Sequence, residues 1–330
     1  MPDAADGTPT LTLAGIRAAR ARLGDGVLRT PVQALAGPAV EAALPAGTRA
    51  LLKLELFQHT GSFKARAALL AALALGPEER ARGVCAISAG NHAIATAYAA
   101  QRVGTSAHVV MKADSNPFRI EQCRRYGAEI ELAADVHAGF RRVQEIQERE
   151  GRVFIHPYEG LRVATGTATL GLEFLEQAPT LEAVIVPIGG GGLAAGVATA
   201  IKLAQPDCEV IGVEPFGADT MFRSFQSGRP ESIERIDTIA DSLGAPFALP
   251  VSFALCRASI DALVRVEDRE LVAAMRFLLE HARLAVEPAG AASAAALLGP
   301  LRERLAGRQV GLIVCGSNID AASYSRLVGG

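Results

Sequence analysis

A lysine in Thr60-Gly61-Ser62-Phe63-Lys64, an asparagine and a histidine in Ser88-Ala89-Gly90-Asn91-His92, four glycines at Gly189-Gly190-Gly191-Gly192 and a cysteine in Cys315-Gly316-Ser317-Asn318 are the groups in this 330-residue chain whose types and order could do chemistry. Each lies where an apolar run gives way to a helical pattern, or just ahead of one. Together they offer an amine, a hydrogen-bonding loop, a cradle for a phosphate and a partner for a ring nitrogen.

Each also has a plainer reading. Thr60 or Ser62 can cap a helix that places Lys64 in its first turn. There the positive end of the dipole and an apolar surround both disfavour an ammonium, which makes a better nucleophile and base; the alternative is a snorkelling surface lysine. The glycine run follows Val184-Ile185-Val186-Pro187-Ile188 and lets consecutive N–H groups converge on an anion at a helix start; a tight turn or a dinucleotide loop would look similar. Ser88 and Asn91 with free N–H groups can bind a carboxylate or phenolic oxygen, or merely cap a helix over a buried His92. Cys315 can be a simple core residue, and Glu287 an ordinary helix-start carboxylate. Lysine occurs only at Lys53, Lys64, Lys112 and Lys202 in an otherwise arginine-based set of cations. Arginine cannot give up its proton to act as a nucleophile.

Alternating patterns must position these groups. Strands are expected at 50–55, 83–87, 106–111, 128–132, 153–156, 183–188, 209–214 and 310–315. Helices are expected at 63–75, 91–102, 117–126, 136–150, 167–177 and 193–204. Such alternation predicts an α/β fold with mostly parallel sheets. The stretch Gly217–Pro250 reads as irregular, and a loop of that length is often functional.

Composition narrows the class. Half the residues are apolar, and 33 Lys and Arg nearly balance 35 Asp and Glu, so no basic face for nucleic acid is expected. No apolar run reaches the roughly 18–20 residues that span a bilayer, and Met1–Thr10 lacks the pattern of a signal peptide. The five cysteines are scattered without a C-x-x-C pair, which fits a reducing, cytoplasmic setting.

The order and flanks of these segments carry a resemblance. Lys53-Leu54-Glu55, Gln58 to Arg66, Ser88 to Ala93, Tyr126-Gly127-Ala128-Glu129, Pro187 to Leu193, Gly212-Val213-Glu214-Pro215, Thr238-Ile239-Ala240-Asp241, Glu287-Pro288 and Cys315 to Asn318 continue one match from about residue 15 onward. The chain resembles the pyridoxal 5′-phosphate (PLP)-dependent serine/threonine dehydratases, of the fold type II group that includes serine racemase and tryptophan synthase β. The resemblance implies Lys64 as the Schiff-base lysine, Phe63 and Asn91 beside the pyridine ring, Gly189, Gly190, Gly191 and Gly192 as the phosphate cradle, and Cys315 against the ring nitrogen. It implies Ser88, Ala89, Gly90, Asn91 and His92 as the loop for the substrate carboxylate. Glu214 and the Ala218 carbonyl match two ligands of a divalent-cation site of some members, but the third carboxylate position holds Thr220.

The implied reaction is elimination of the β-hydroxyl from a β-hydroxy amino acid to give a 2-oxo acid and ammonia. A thiol with a reference pKa near ~8.5 is a poor fixed anion for the ring nitrogen, and the moderate electron sink that results suits elimination. A racemase is the rival; related racemases use a serine where this chain has Ala89. A non-catalytic binding protein on the same fold is a second alternative. Departures at Glu55-Leu56, Thr165-Gly166-Thr167-Ala168-Thr169 and Ser242-Leu243-Gly244-Ala245-Pro246 lie on the expected substrate side. They point to a less common substrate, such as phenylserine, hydroxyaspartate or a hydroxyectoine-derived compound, with L-threonine and L-serine as the family's usual ones. The resemblance further implies two open, twisted, mostly parallel sheets flanked by helices, a small domain at 79–151 inserted between 1–78 and 152–330 of a large one, PLP in the cleft between them, a homodimer, and no C-terminal regulatory domain.

Overall fold

A computed structural model describes residues 10–329. The strands are β1 (Val32–Leu35), β2 (Arg49–Leu54), β3 (Val84–Ile87), β4 (Ala107–Lys112), β5 (Glu129–Ala133), β6 (Val153–Phe154), β7 (Ala183–Pro187), β8 (Glu209–Pro215), β9 (Ala262–Val266) and β10 (Gln309–Val314). They form a six-stranded sheet in the order β1-β2-β10-β7-β8-β9 and a four-stranded sheet in the order β5-β4-β3-β6. Only β1, antiparallel to β2, departs from parallel pairing. The smaller sheet is drawn from one continuous stretch, 84–154, with the strands of the larger sheet before and after it. Parallel strands covered on both faces have no polar side to show, and every residue of β3 and β7 is buried.

Most of the expected elements are present; three differ. The helix expected at 167–177 begins six residues earlier, as Leu161–Gln177. Its small residues look like helix breakers but are helix–helix contacts. A Cβ on Gly166 would stand 2.6 Å from Ala67 Cα, and one on Gly196 would stand 2.2 Å from Ala164 O. Close backbone packing with the helices Lys64–Leu73 and Gly192–Ala204 outweighs weak local propensity. Within 217–250, Thr220–Ser227 forms a helix, started by two backbone N–H bonds to Glu214. The strand expected at 153–156 stops at Phe154, because the His156 ring turns the chain by accepting from Tyr158 N and Glu159 N.

A buried polar cluster fixes how β2 meets two helices. Lys53 Nζ donates to Glu173 Oε1 (2.5 Å), Thr30 O (2.8 Å) and Gln177 Oε1 (2.7 Å). The Arg66 guanidinium donates to both Glu55 oxygens (2.7 and 2.9 Å) and to both Glu173 oxygens (3.1 Å each). Two cations and two carboxylates are thus buried with every charge paired, which is the condition under which burial is tolerated. Arg66 lies two residues beyond Lys64, so the cluster also sets the direction of the helix that carries Lys64.

Candidate functional site

Parallel α/β sheets place loops at the carboxyl ends of their strands, where ligands bind. Lys64 follows β2, Cys315 follows β10, the glycines follow β7, and Ser88–His92 follows β3. Backbone pairing then sets Lys64 beside Cys315. Phe63 N donates to Cys315 O (3.1 Å), Ser317 N donates to Gly61 O (2.9 Å), and Ser62 forms a bridge with Gly316. Lys64 opens the helix Lys64–Leu73, as expected, but Phe63 precedes it with no side-chain cap. Thr60 Oγ1 instead leans on Ser62 O (3.4 Å), and Ser62 Oγ is buried with no hydrogen-bond partner among the described residues.

The Lys64 ammonium donates to the Pro157 carbonyl (2.5 Å) and lies 5.2 Å from the centre of the Phe63 ring. Burial pulls its pKa down to about 8, partly offset by the Glu287 carboxylate. Cys315 is buried, and desolvation raises its thiol pKa well above the ordinary range. The thiol is therefore neutral, and it donates to Ala289 O at 3.3 Å.

The glycine run bounds a space shaped by Tyr158. A Cβ on Gly190 would stand 2.2 Å from the Tyr158 ring, and one on Gly192 would stand 2.6 Å from Tyr158 O. Gly191 has φ +91°, a left-handed conformation that side chains resist, and it caps the helix Gly192–Ala204. Glycine is thus required here by neighbours as well as by conformation. Because Tyr158 follows Pro157, Lys64 and the glycine turn meet at adjacent residues of one segment.

Asn91 opens the helix Asn91–Val103 and reaches across to the larger sheet's loops. Its Nδ2 donates to Glu287 Oε1 (2.5 Å) and Ser242 Oγ (3.3 Å), and its Oδ1 accepts from Asn318 Nδ2 (2.6 Å). Burial raises the Glu287 pKa to about 7, against the favourable pull of Arg119. Gly90 N donates to Ser88 Oγ (3.1 Å), which closes a turn ahead of the helix. The His92 ring lies 2.8 Å from Ile155 O, and burial with the nearby Lys64 charge lowers its pKa to about 3. His92 is thus a neutral, buried ring engaged with the Ile155 carbonyl and the Thr96 hydroxyl.

Sequence reasoning passed over Arg119 and the segment His156-Pro157-Tyr158. Arg119 is buried, and it donates to Asp241 Oδ2 (2.5 Å), Asp241 Oδ1 (3.2 Å), Glu287 Oε2 (3.4 Å) and Asn318 O (2.8 Å). It lies in the helix Pro117–Arg125, whose charged sequence gave no sign that one arginine turns inward. The signal for the His156 segment was its place at the end of a strand returning to the larger sheet.

The cation expected at Glu214 and Ala218 does not fit the residues present. Both Glu214 oxygens accept backbone N–H groups, from Met221 (3.0 Å) and Phe222 (2.7 Å), and Thr220 Oγ1 donates to Ala245 O (2.7 Å). Burial raises the Glu214 pKa to about 8. Among the described residues no group of three His, Cys, Asp or Glu side chains is placed to hold a metal ion. PLP, by contrast, fits. A cradle that admits no Cβ, an orphaned Ser62 hydroxyl, an amine of depressed pKa and a neutral thiol converge on one cleft.

A family model described as pyridoxal-phosphate dependent enzyme matches residues 23–316. The chain is 50% identical over 324 residues to a phenylserine dehydratase of Ralstonia pickettii, with 98% of each chain covered. It is 38% identical to an L-threonine ammonia-lyase of Thermotoga maritima, over 96% of this chain and 78% of that one. Among solved structures, maize serine racemase matches with a TM-score of 0.91 at 34% identity, over 96% of this chain and 97% of that one.

Proposed function

The chain belongs to the pyridoxal-phosphate dependent enzyme family, and from that premise we propose that it is a dehydratase acting on β-hydroxy amino acids with an aryl group on the β-carbon, of the 3-phenylserine type. It is an ammonia-lyase: the β-hydroxyl leaves, and a 2-oxo acid and ammonia are released. The observation that carries the aryl reading is the 50% identity with a phenylserine dehydratase across nearly the whole of both chains.

PLP, when bound, draws electrons away from the substrate Cα and so acidifies its proton. We assign the phosphate to the N–H groups of Gly189–Gly192 at the helix start, the ring to Phe63 and Asn91, and the ring nitrogen to Cys315. A neutral thiol beside that nitrogen leaves it without a fixed counter-charge. Lys64 Nζ takes the Cα proton; the depressed pKa supplies neutral amine near neutral pH. The loop Ser88–Asn91 orients the substrate carboxylate through backbone N–H groups and the Ser88 hydroxyl. Arg119, held by Asp241 and Glu287, fixes Glu287 and, through it, Asn91.

Ammonia release from a panel of phenylserine, L-threonine, L-serine and hydroxyaspartate tests the reading, with phenylserine expected to give the highest kcat/KM. Lys64→Ala is expected to lower turnover by roughly 10³-fold or more. Full turnover by that variant would overturn the assignment. Racemisation needs an acid on the opposite face, and Ala89 offers none; D-serine forming from L-serine in deuterated buffer would count against elimination alone. The inserted small domain at 79–151, a homodimer and a cytoplasmic site of action belong to the same proposal. Sedimentation tests the dimer. Among the described residues no helix is long and apolar enough to cross a membrane.

A further inference from the structure

We propose that Phe140 and Phe247, whose rings touch, form one aromatic wall against which the β-aryl ring of the substrate packs, and that this wall sets the preference for aryl over alkyl β-hydroxy amino acids; this rests on the aryl reading above. The chain has 12 Phe, 4 Tyr and no Trp, yet a row of ring contacts runs through one place. Phe154 meets His156 (centroids 5.4 Å apart), His156 meets Tyr158 (4.8 Å), Tyr158 meets Phe247 (6.4 Å), and Phe247 meets Phe140 (5.8 Å). The row lies beside the proposed chemistry. Tyr158 closes over Gly190, and the carbonyl preceding it accepts from Lys64.

The two phenylalanines come from opposite sides of the cleft. Phe140 lies in the helix Val136–Glu150, which covers β3 and β4 of the smaller sheet. Its neighbour Gly139 touches the sheet so closely that a Cβ would stand 2.4 Å from Ile87 Cδ1, so the helix cannot lift without losing that fit. Phe247 lies in a loop of the larger sheet. Its carbonyl accepts from Tyr158 OH (3.2 Å), and its backbone bridges Ser232. Both backbones are fixed, yet both rings are only half-buried. A pair of rings inclined at 50° offers a third ring the tilted contacts that aromatic groups prefer.

The charges nearby exclude an acidic substrate side chain from the same wall. Burial beside the Lys64 charge lowers the His156 pKa to about 4, so the ring in the row is neutral. The guanidinium that enters the cleft, Arg119, is already held by Asp241 and Glu287. A β-carboxylate would meet aromatic faces rather than a free cation there.

The test measures kcat/KM for L-threo-3-phenylserine and for L-threonine with the holoenzyme and with Phe140→Ala, Phe247→Ala and Phe247→Tyr. The ratio of the two is expected to fall about 10- to 100-fold in each alanine variant, the range that lost pocket contacts give, and to hold within about three-fold in Phe247→Tyr, which keeps the ring. L-Phenylalanine, which has no β-hydroxyl to lose, is expected to raise the Tm of the holoenzyme and not that of Phe247→Ala. Equal losses on both substrates, or an unchanged ratio, would overturn the wall while leaving the aryl reading intact. A wild-type enzyme active on L-threonine but inert to phenylserine would overturn the aryl reading and the wall with it. If Phe247→Ala does not fold, Phe140→Ala and Phe247→Tyr still decide.

Discussion

The side-chain amide of Asn91 donates a 2.5 Å hydrogen bond to the carboxylate of Glu287, and this contact joins the first turn of a helix on the smaller sheet to a helix start on the larger one. Glu287 also meets Arg119, which ties the two layers a second time. One buried carboxylate thus holds the residue assigned to the cofactor ring.

Glu287 should make stability depend on pH. Its pKa rises from an ordinary 4.5 to about 7, chiefly through burial. Between those values the folded state keeps a proton that the unfolded state has released, so stability falls as pH rises from about 4.5 to 7. Glu287→Gln cannot ionise and is expected to flatten that slope. Urea titrations at several pH values check it; an unchanged slope would mean that Glu287 is ionised throughout.

Lys64 should be reactive at lower pH than an ordinary solvated lysine. With a pKa of about 8 rather than 10.5, about one molecule in ten carries a neutral amine at pH 7. In cofactor-free protein, labelling of Lys64 by an amine reagent is expected to rise with pH to a midpoint near 8, followed by peptide mass spectrometry. A midpoint near the ordinary lysine value would show a solvated side chain.

Gly190→Ala should weaken cofactor binding before it harms folding. The added methyl would overlap the Tyr158 ring and push it from the turn. PLP titration is expected to show at least a ten-fold loss of affinity, a shift of about 1.4 kcal/mol. Unchanged affinity would move the phosphate site away from this turn.

Arg66→Ala should cost stability on the order of 3–5 kcal/mol, because it leaves Glu55 buried without its ion-pair partner and Glu173 with Lys53 alone. Thermal denaturation measures it. A loss under 1 kcal/mol would mean that water replaces the guanidinium.

Chelation should leave turnover unchanged. Glu214 spends both oxygens on backbone N–H groups, Thr220 spends its hydroxyl on Ala245, and the neighbouring Asp219 carboxylate is taken by Arg223 and Arg265, so a divalent cation would find no uncommitted carboxylate there. Activity that falls with a chelator and returns with magnesium would make Glu214 a ligand.

The sequence alone determined the alternation of strands and helices, because the apolar periods of 2 and 3.6 survive without tertiary context. It also determined the order of the lysine, asparagine, glycine and cysteine segments, and with it the family, since those segments sit at strand ends in any parallel sheet of this connectivity. What it could not determine were contacts between distant residues. Arg119 looks like any surface arginine in a charged helix until folding turns it toward Asp241 and Glu287. Thr165 and Gly166 look like chain ahead of the helix expected at 167–177 until a neighbouring backbone is seen to occupy the space a larger side chain would need. His92 gives no sign in the sequence that its ring lies on the Ile155 carbonyl. Phe140 and Phe247 are far apart in the chain and meet only because the two sheets face each other. Local propensity is written residue by residue, whereas burial, charge pairing and ring contact depend on which distant segment arrives, and only the tertiary structure decides that.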